Sequence, residues 1–224
     1  MTKPTPQDTF LLGNFPIQDR LSMADQFMSE VPYTPDATRQ QQDTAKWARN
    51  PHLIKKIQPA LKMLSDEIRV GDSVVDVGCG SGQALAYLQE HCSNKFEYFG
   101  IDISEIEIIR AREHFKDRGL FYNGSMEDHF LCDPIIFCSR LLIHLPSFEE
   151  HMRYLLRATK RTLILVLNTN GDWITRYSSD RGIFYMRAFS QETILETVGG
   201  GWDIEFHPIP NEPYTTVIAR KHAT

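Results

Sequence analysis

The chain lacks the marks of several function classes. Its four cysteines, Cys79, Cys92, Cys132 and Cys138, form no CxxC pair and have no His pair at ligand spacing beside them. No metal site is expected, and free thiols in a reducing cytoplasm are the simplest reading. No apolar run approaches the roughly 20 residues of a membrane span. The N-terminal stretch "MTKPTPQDTFLLGNFPIQD" has no signal-peptide apolar core, so a cytoplasmic, membrane-free protein is expected. There is no basic excess either: 24 Lys and Arg face 29 Asp and Glu, for a net charge of -5. No global field therefore attracts nucleic acid. Internal repeats and low-complexity segments are absent as well.

What is present suits one globular domain with an added terminal segment. The chain has 224 residues, 42% of them hydrophobic, ample for a buried core. Residues 1–50 read as an N-terminal arm with lid helices. From Pro51, "PHLIKKIQPALKMLSDEI" places Ile54, Ile57, Leu61 and Leu64 on one helical face. Short apolar runs then alternate with helical stretches: "SVVDVG", "FEYFGIDIS", "LFYNGS", "DPIIFCSRLLIHL" and "RTLILVLNTN" read as strands. Such alternation predicts a doubly wound α/β domain over 51–224, with a mostly parallel sheet and helices on both faces. The end differs. "WDIEFHPIP" and "YTTVIARK" are joined by "NEP", too short for a crossover helix, so these strands form an antiparallel hairpin.

The segment "SVVDVGCGSG" holds Gly78, Gly80 and Gly82 directly after the first strand of that alternation. Ligands of open parallel sheets bind beyond the carboxyl ends of strands. Glycines there let the backbone approach a ligand. A dinucleotide fingerprint needs glycine at the sixth position, where this chain has Gln83. Asp76 lies on the strand behind the turn, and Asp102 ends the next strand, where a carboxylate can accept hydrogen bonds from ribose hydroxyls. The plainer alternatives are a tight turn, and for Asp102 a helix N-cap, a position for which Ser104 competes.

Taken in order, "VVDVGCGSG", "GIDIS", "NGSMED" and "IIFCSRLLIHL" resemble the successive motifs of class I S-adenosylmethionine-dependent methyltransferases. The resemblance runs from about Ser73 to the last strand. It implies a Rossmann-like sheet of seven strands ending in the antiparallel hairpin. It implies S-adenosylmethionine as cofactor and S-adenosylhomocysteine as product. Asp76, Gly78, Cys79, Gly80 and Gly82 then hold the methionine part, Asp102 the ribose, and Ile103 packs on adenine. Where many members carry Gly-Asp-Ala, this chain has Gly124, Ser125 and Met126. Ser125 is the weaker partner for the adenine amine, and Met126 is an adenine contact or core filler. Cys138 and Ser139, followed by Arg140, fall beside the methyl donor; Cys138 is otherwise a small buried hydrophobe.

The sulfonium methyl is already activated, so the protein must align the acceptor, exclude water and remove a proton where needed. His144 in "LLIHL" is the candidate base, or else a packed structural histidine. Residues 168–190 read as a long substrate-loop insertion with Trp173, Arg176, Tyr177, Tyr185 and Arg187. Aromatics with arginines suit a planar or anionic small molecule. Tyr33, Arg39 and Trp47 of the arm are further substrate-binding candidates. The expected function is methyl transfer to an oxygen or nitrogen of a small metabolite, a carboxyl included, by a monomer or homodimer. The alternatives are a protein or RNA methyltransferase, or a non-catalytic cofactor-binding regulatory module.

Overall fold

A computed structural model describes residues 5–29, 51–129, 131–179 and 182–223. The strands are β1 (Thr5–Leu11), β2 (Ser73–Val77), β3 (Glu97–Asp102), β4 (Leu120–Asn123), β5 (Asp133–Ser139), β6 (Thr159–Asn168), β7 (Trp173–Ser179), β8 (Gly182–Ala188), β9 (Trp202–Pro208) and β10 (Tyr214–Lys221). The helices are α1 (Ile17–Ser29), α2 (Pro51–Glu67), α3 (Gln83–His91), α4 (Glu105–Phe115), α5 (Phe148–Ala158) and α6 (Gln191–Val198), with short 3-10 turns between.

Seven strands form one sheet in the order β4-β3-β2-β5-β6-β10-β9. The first five run parallel, and β10 is antiparallel to both β6 and β9. This is the Rossmann-like sheet with a terminal hairpin that the sequence leads one to expect. Strand β2 explains its two faces. Val74 joins the core under α2, α3 and α4, with Leu61, Leu88 and Ile108. Val75 and Val77 join the core under α5 and α6, with Phe148, Leu155 and Ile194. A strand buried on both faces reads as a continuous apolar run because neither side meets water.

The chain order reverses between β2 and β5, so the crevice at their carboxyl ends is the topological switch point. The turn after β2 opens into it. Gly82 has φ 88°, and a Cβ there would lie 2.5 Å from the ring of Phe115. Glycine is therefore required on both conformational and steric grounds. Its carbonyl accepts the Ala86 N–H, starting α3 close against the sheet.

The arm and the expected loop insertion combine in a way the sequence did not suggest. Residues 173–179 and 182–188 are two strands, and β1 of the arm pairs antiparallel with β7. The result is a second, three-stranded sheet in the order β1-β7-β8. Helix α1 covers it through Met28, which packs with Ile174 and Tyr185. Two hubs bind this unit to the rest. The buried Asp172 accepts from Arg20 at 2.8 Å, the Ser190 N–H at 2.7 Å and the Thr193 hydroxyl at 3.1 Å. Asp25 of α1 accepts from Arg187 at 2.9 Å and from the Ser147 N–H at 2.8 Å. Ser190 caps α6 as its position suggests, accepting the Thr193 N–H. Ser147 sits at the N-cap of α5 without a side-chain cap bond. No helix among the described residues is long and apolar enough to cross a membrane.

Candidate active site at the sheet switch point

Asp102 organises the glycine turn. Its Oδ2 accepts the Gly80 N–H at 2.9 Å, and its Oδ1 accepts the Ser104 N–H at 2.8 Å. The carboxylate is 2% exposed. Gly78 and Cys79 both donate backbone N–H bonds to the Ile101 carbonyl, at 2.8 and 3.0 Å. The turn is thereby tied across to β3 at two levels. Ser104 occupies the N-cap of α4 but makes no side-chain cap bond. Asp102 accepts the N–H of the cap residue itself, so neither side chain caps the first turn of α4.

Asp76 lies below the turn on β2. It is 3% exposed and accepts a 2.5 Å hydrogen bond from the Tyr98 hydroxyl. Burial lifts its carboxyl from 3.8 to about 7, the Tyr98 hydrogen bond opposes that rise, and the Asp102 charge adds to it. Gly100, paired with Asp76 across the strands, leaves the room that Cys79 and Phe121 fill; a Cβ there would come within 2.8 Å of both. Tyr98 was not singled out in the sequence. The signal was its place two residues before Gly100 in a strand expected to flank β2.

The rest of the crevice comes from the ends of β4 and β5. Ile103 is 46% exposed at the mouth. Ser125 starts a 3-10 turn as one half of a capping box with Asp128, and its hydroxyl also bonds Glu127. Met126 is buried in the core under α5. Cys138 is also buried, and burial pushes its thiol up to about 12, so it stays protonated and packs as a small apolar group near neutral pH. The Ser139 hydroxyl oxygen and Arg140 Nε are buried and have no hydrogen-bond partner among the described residues.

His144 lies in the 3-10 turn that follows β5. Its Nδ1 is 2.7 Å from the Tyr185 carbonyl. A carbonyl only accepts, so Nδ1 carries the proton, and in the neutral ring Nε2 holds the lone pair. The His144 ring lies 6.5 Å from Phe184, which stacks on Tyr177 at 5.0 Å. These aromatics border the turn with His144. Trp173 donates its ring N–H to the Asn170 carbonyl, and Arg176 is half-buried on the same strand as Tyr177. Tyr185 and Arg187 are 0% and 1% exposed. They face α1, and Arg187 Nη1 donates to Asp25 and the Leu145 carbonyl, while its Nε and Nη2 are buried without a hydrogen-bond partner among the described residues. They stand inside the small unit's packing rather than on its surface, because β8 alternates sides and these two positions share the side that α1 covers. Tyr33, Arg39 and Trp47 lie outside the described residues.

Residues 74–163 match the sequence profile of a family described as methyltransferase domain. The same fold is found in magnesium protoporphyrin IX methyltransferase (ChlM) from Synechocystis PCC 6803, solved with bound SAH: 16% identity, TM-score 0.59, 81% of this chain and 88% of that one. DhpI in complex with SAH is similar at 20% identity and TM-score 0.60, over 93% of this chain and 98% of that chain. The cyclase SpnF is similar at 15% identity and TM-score 0.57, over 73% and 81%. No curated protein matches the chain in sequence. The chain has the class I, Rossmann-like methyltransferase fold.

Proposed function

We propose that this chain, whose residues 74–163 match the methyltransferase-domain family, binds S-adenosylmethionine in the crevice after β2 and transfers its methyl group to an oxygen or nitrogen of a small metabolite. The observation that carries the reading is the pair of buried carboxylates on either side of the glycine turn. Asp102 already orders the turn through Gly80. Asp76 is a buried carboxyl whose one described hydrogen bond is to a neutral phenol. An ammonium group and a ribose diol are the complementary partners such a pair calls for. A dinucleotide pyrophosphate would instead meet two carboxylates of its own sign.

When bound, the cofactor supplies a methyl group on a positively charged sulfur, which needs no further activation. The chain's part is to orient and to exclude water. The Gly78–Gly82 backbone and Asp76 receive the amino-acid tail, Asp102 receives the ribose hydroxyls, and Ile103 offers an exposed apolar face to a base. Cys138 and Ser139 close the crevice from β5. His144, with Nδ1 fixed on the Tyr185 carbonyl, presents Nε2 as a proton acceptor for a hydroxyl or amine. The Tyr177–Phe184 stack beside it favours a small, planar acceptor over an extended polymer.

The fold alone does not fix the reaction, since a cyclase shares it. The deciding experiment incubates the protein with methyl-labelled S-adenosylmethionine and a cell extract divided by size. Label should enter the small-molecule fraction. Label in the protein or RNA fraction, or none anywhere with the cofactor bound, would contradict small-molecule transfer.

A further inference from the structure

The geometry points to Ser139 and Arg140 as an anchor for an acceptor that carries a carboxylate. The proposal rests on the methyl-donor reading above and adds the chemical class of the recipient.

Three observations converge on this corner. It lies at the carboxyl end of β5, the strand that borders the switch point. Two consecutive residues there hold buried polar atoms without partners among the described residues, the Ser139 hydroxyl oxygen and Arg140 Nε. Buried polar atoms in native proteins are nearly always paired, so two side by side mark a place where a ligand completes the bonding. Arg140 is also a non-glycine residue at φ 58°. Such a backbone persists only where the surroundings hold it, and it is concentrated at functional sites. Here the Arg140 N–H is fastened to the Val166 carbonyl at 2.9 Å, which keeps the residue turned off the strand.

The guanidinium is held as well. It lies over the Tyr214 ring, 5.9 Å from the centroid. That contact restricts the plane of the fork without occupying its donors. No carboxylate among the described residues neutralises it, although the chain carries 29 Asp and Glu. A planar fork of donors next to a hydroxyl matches a two-oxygen monoanion: two parallel N–H bonds, with a third from the serine. The carboxylate would lie four residues along the chain from His144, which serves a separate nucleophilic atom on the same small molecule.

The test uses protein saturated with S-adenosylhomocysteine at pH 8 and two probes of similar size, benzoate and benzyl alcohol, titrated by calorimetry or ligand-observed NMR. Benzoate should bind at least about tenfold more tightly than benzyl alcohol. Arg140→Gln should abolish that preference and Arg140→Lys should recover part of it, with S-adenosylhomocysteine affinity unchanged in both. Equal binding of the two probes, or a preference that survives Arg140→Gln, overturns the proposal while leaving the donor reading intact. So does a loss of S-adenosylhomocysteine affinity in Arg140→Gln, which would give the arginine to the cofactor's own carboxylate. Failure of the unaltered protein to bind S-adenosylhomocysteine removes the donor reading, and this proposal with it.

Discussion

The Tyr98 hydroxyl sits 2.5 Å from Asp76 Oδ2, and both residues are almost wholly buried at the foot of the glycine turn. The phenol is the one neutral donor that favours the ionised carboxylate against burial and against the charge of Asp102. The Cys138 thiol also feels its charge, and burial keeps that thiol protonated. The carboxyl of Asp76 therefore titrates near neutrality.

This fixes the sign of a pH effect. The folded value, about 7, lies above the ordinary 3.8, so the folded state binds the proton more tightly than the unfolded chain. From this group alone, stability is greatest at low pH and falls as pH rises from about 4 to 7. Affinity for a cationic amino-acid tail runs the other way, because it requires the ionised form. Calorimetry of S-adenosylhomocysteine should show affinity rising with pH up to about 7 and levelling above it, with at most about a tenfold change per pH unit on the acid limb. Tyr98→Phe removes the favouring donor and should move the bend to higher pH. A flat profile from pH 6 to 8 in both proteins would contradict the assignment of Asp76.

Asp172 makes a different kind of claim, about how the small sheet is held. Replacing it by Ala removes the acceptor shared by Arg20, the Ser190 N–H and the Thr193 hydroxyl, leaving Arg20 the Phe15 carbonyl and Glu192, and the Thr193 hydroxyl only Ser190. The expected loss is about 2–4 kcal/mol in urea unfolding. A change below about 0.5 kcal/mol, the range of ordinary surface substitutions, would mean that the three-stranded unit is held by its apolar contacts alone.

For His144 the informative variant is Asn. Its amide can still donate to the Tyr185 carbonyl, now held by Nδ1, but it offers no basic nitrogen. Methyl transfer should fall by about 10²–10⁴-fold, the usual worth of a positioned base, with cofactor affinity within about twofold. Full activity in His144→Asn would return the histidine to a packing role.

Local signals carried the parts of this fold that were legible in the sequence. The β–α alternation, the short "NEP" link and the spacing of three glycines each depend on neighbours in the chain, and they led to the mostly parallel sheet with its terminal hairpin and to Asp102; the count of seven strands came from the family resemblance. The pairing of β1 with β7 joins Phe10 to Ile174, and no local pattern in either segment announces a partner so far away. For the same reason Arg187 read as a substrate-binding arginine on a loop. Only the pairing reveals that it points under α1, toward Asp25. Arg140 was visible as a position after β5, but the absence of partners for its Nε is a property of packing and not of sequence.

The central claim is that the turn after β2 and the carboxylate of Asp102 hold S-adenosylmethionine. Its most direct test is calorimetric titration of S-adenosylhomocysteine into the unaltered protein and into Asp102→Asn, which keeps the shape and removes the charge. Binding to the unaltered protein, weakened about 10–100-fold or more by the substitution, is the expected result. No binding to the unaltered protein, or tighter binding of a nicotinamide dinucleotide, would contradict the account.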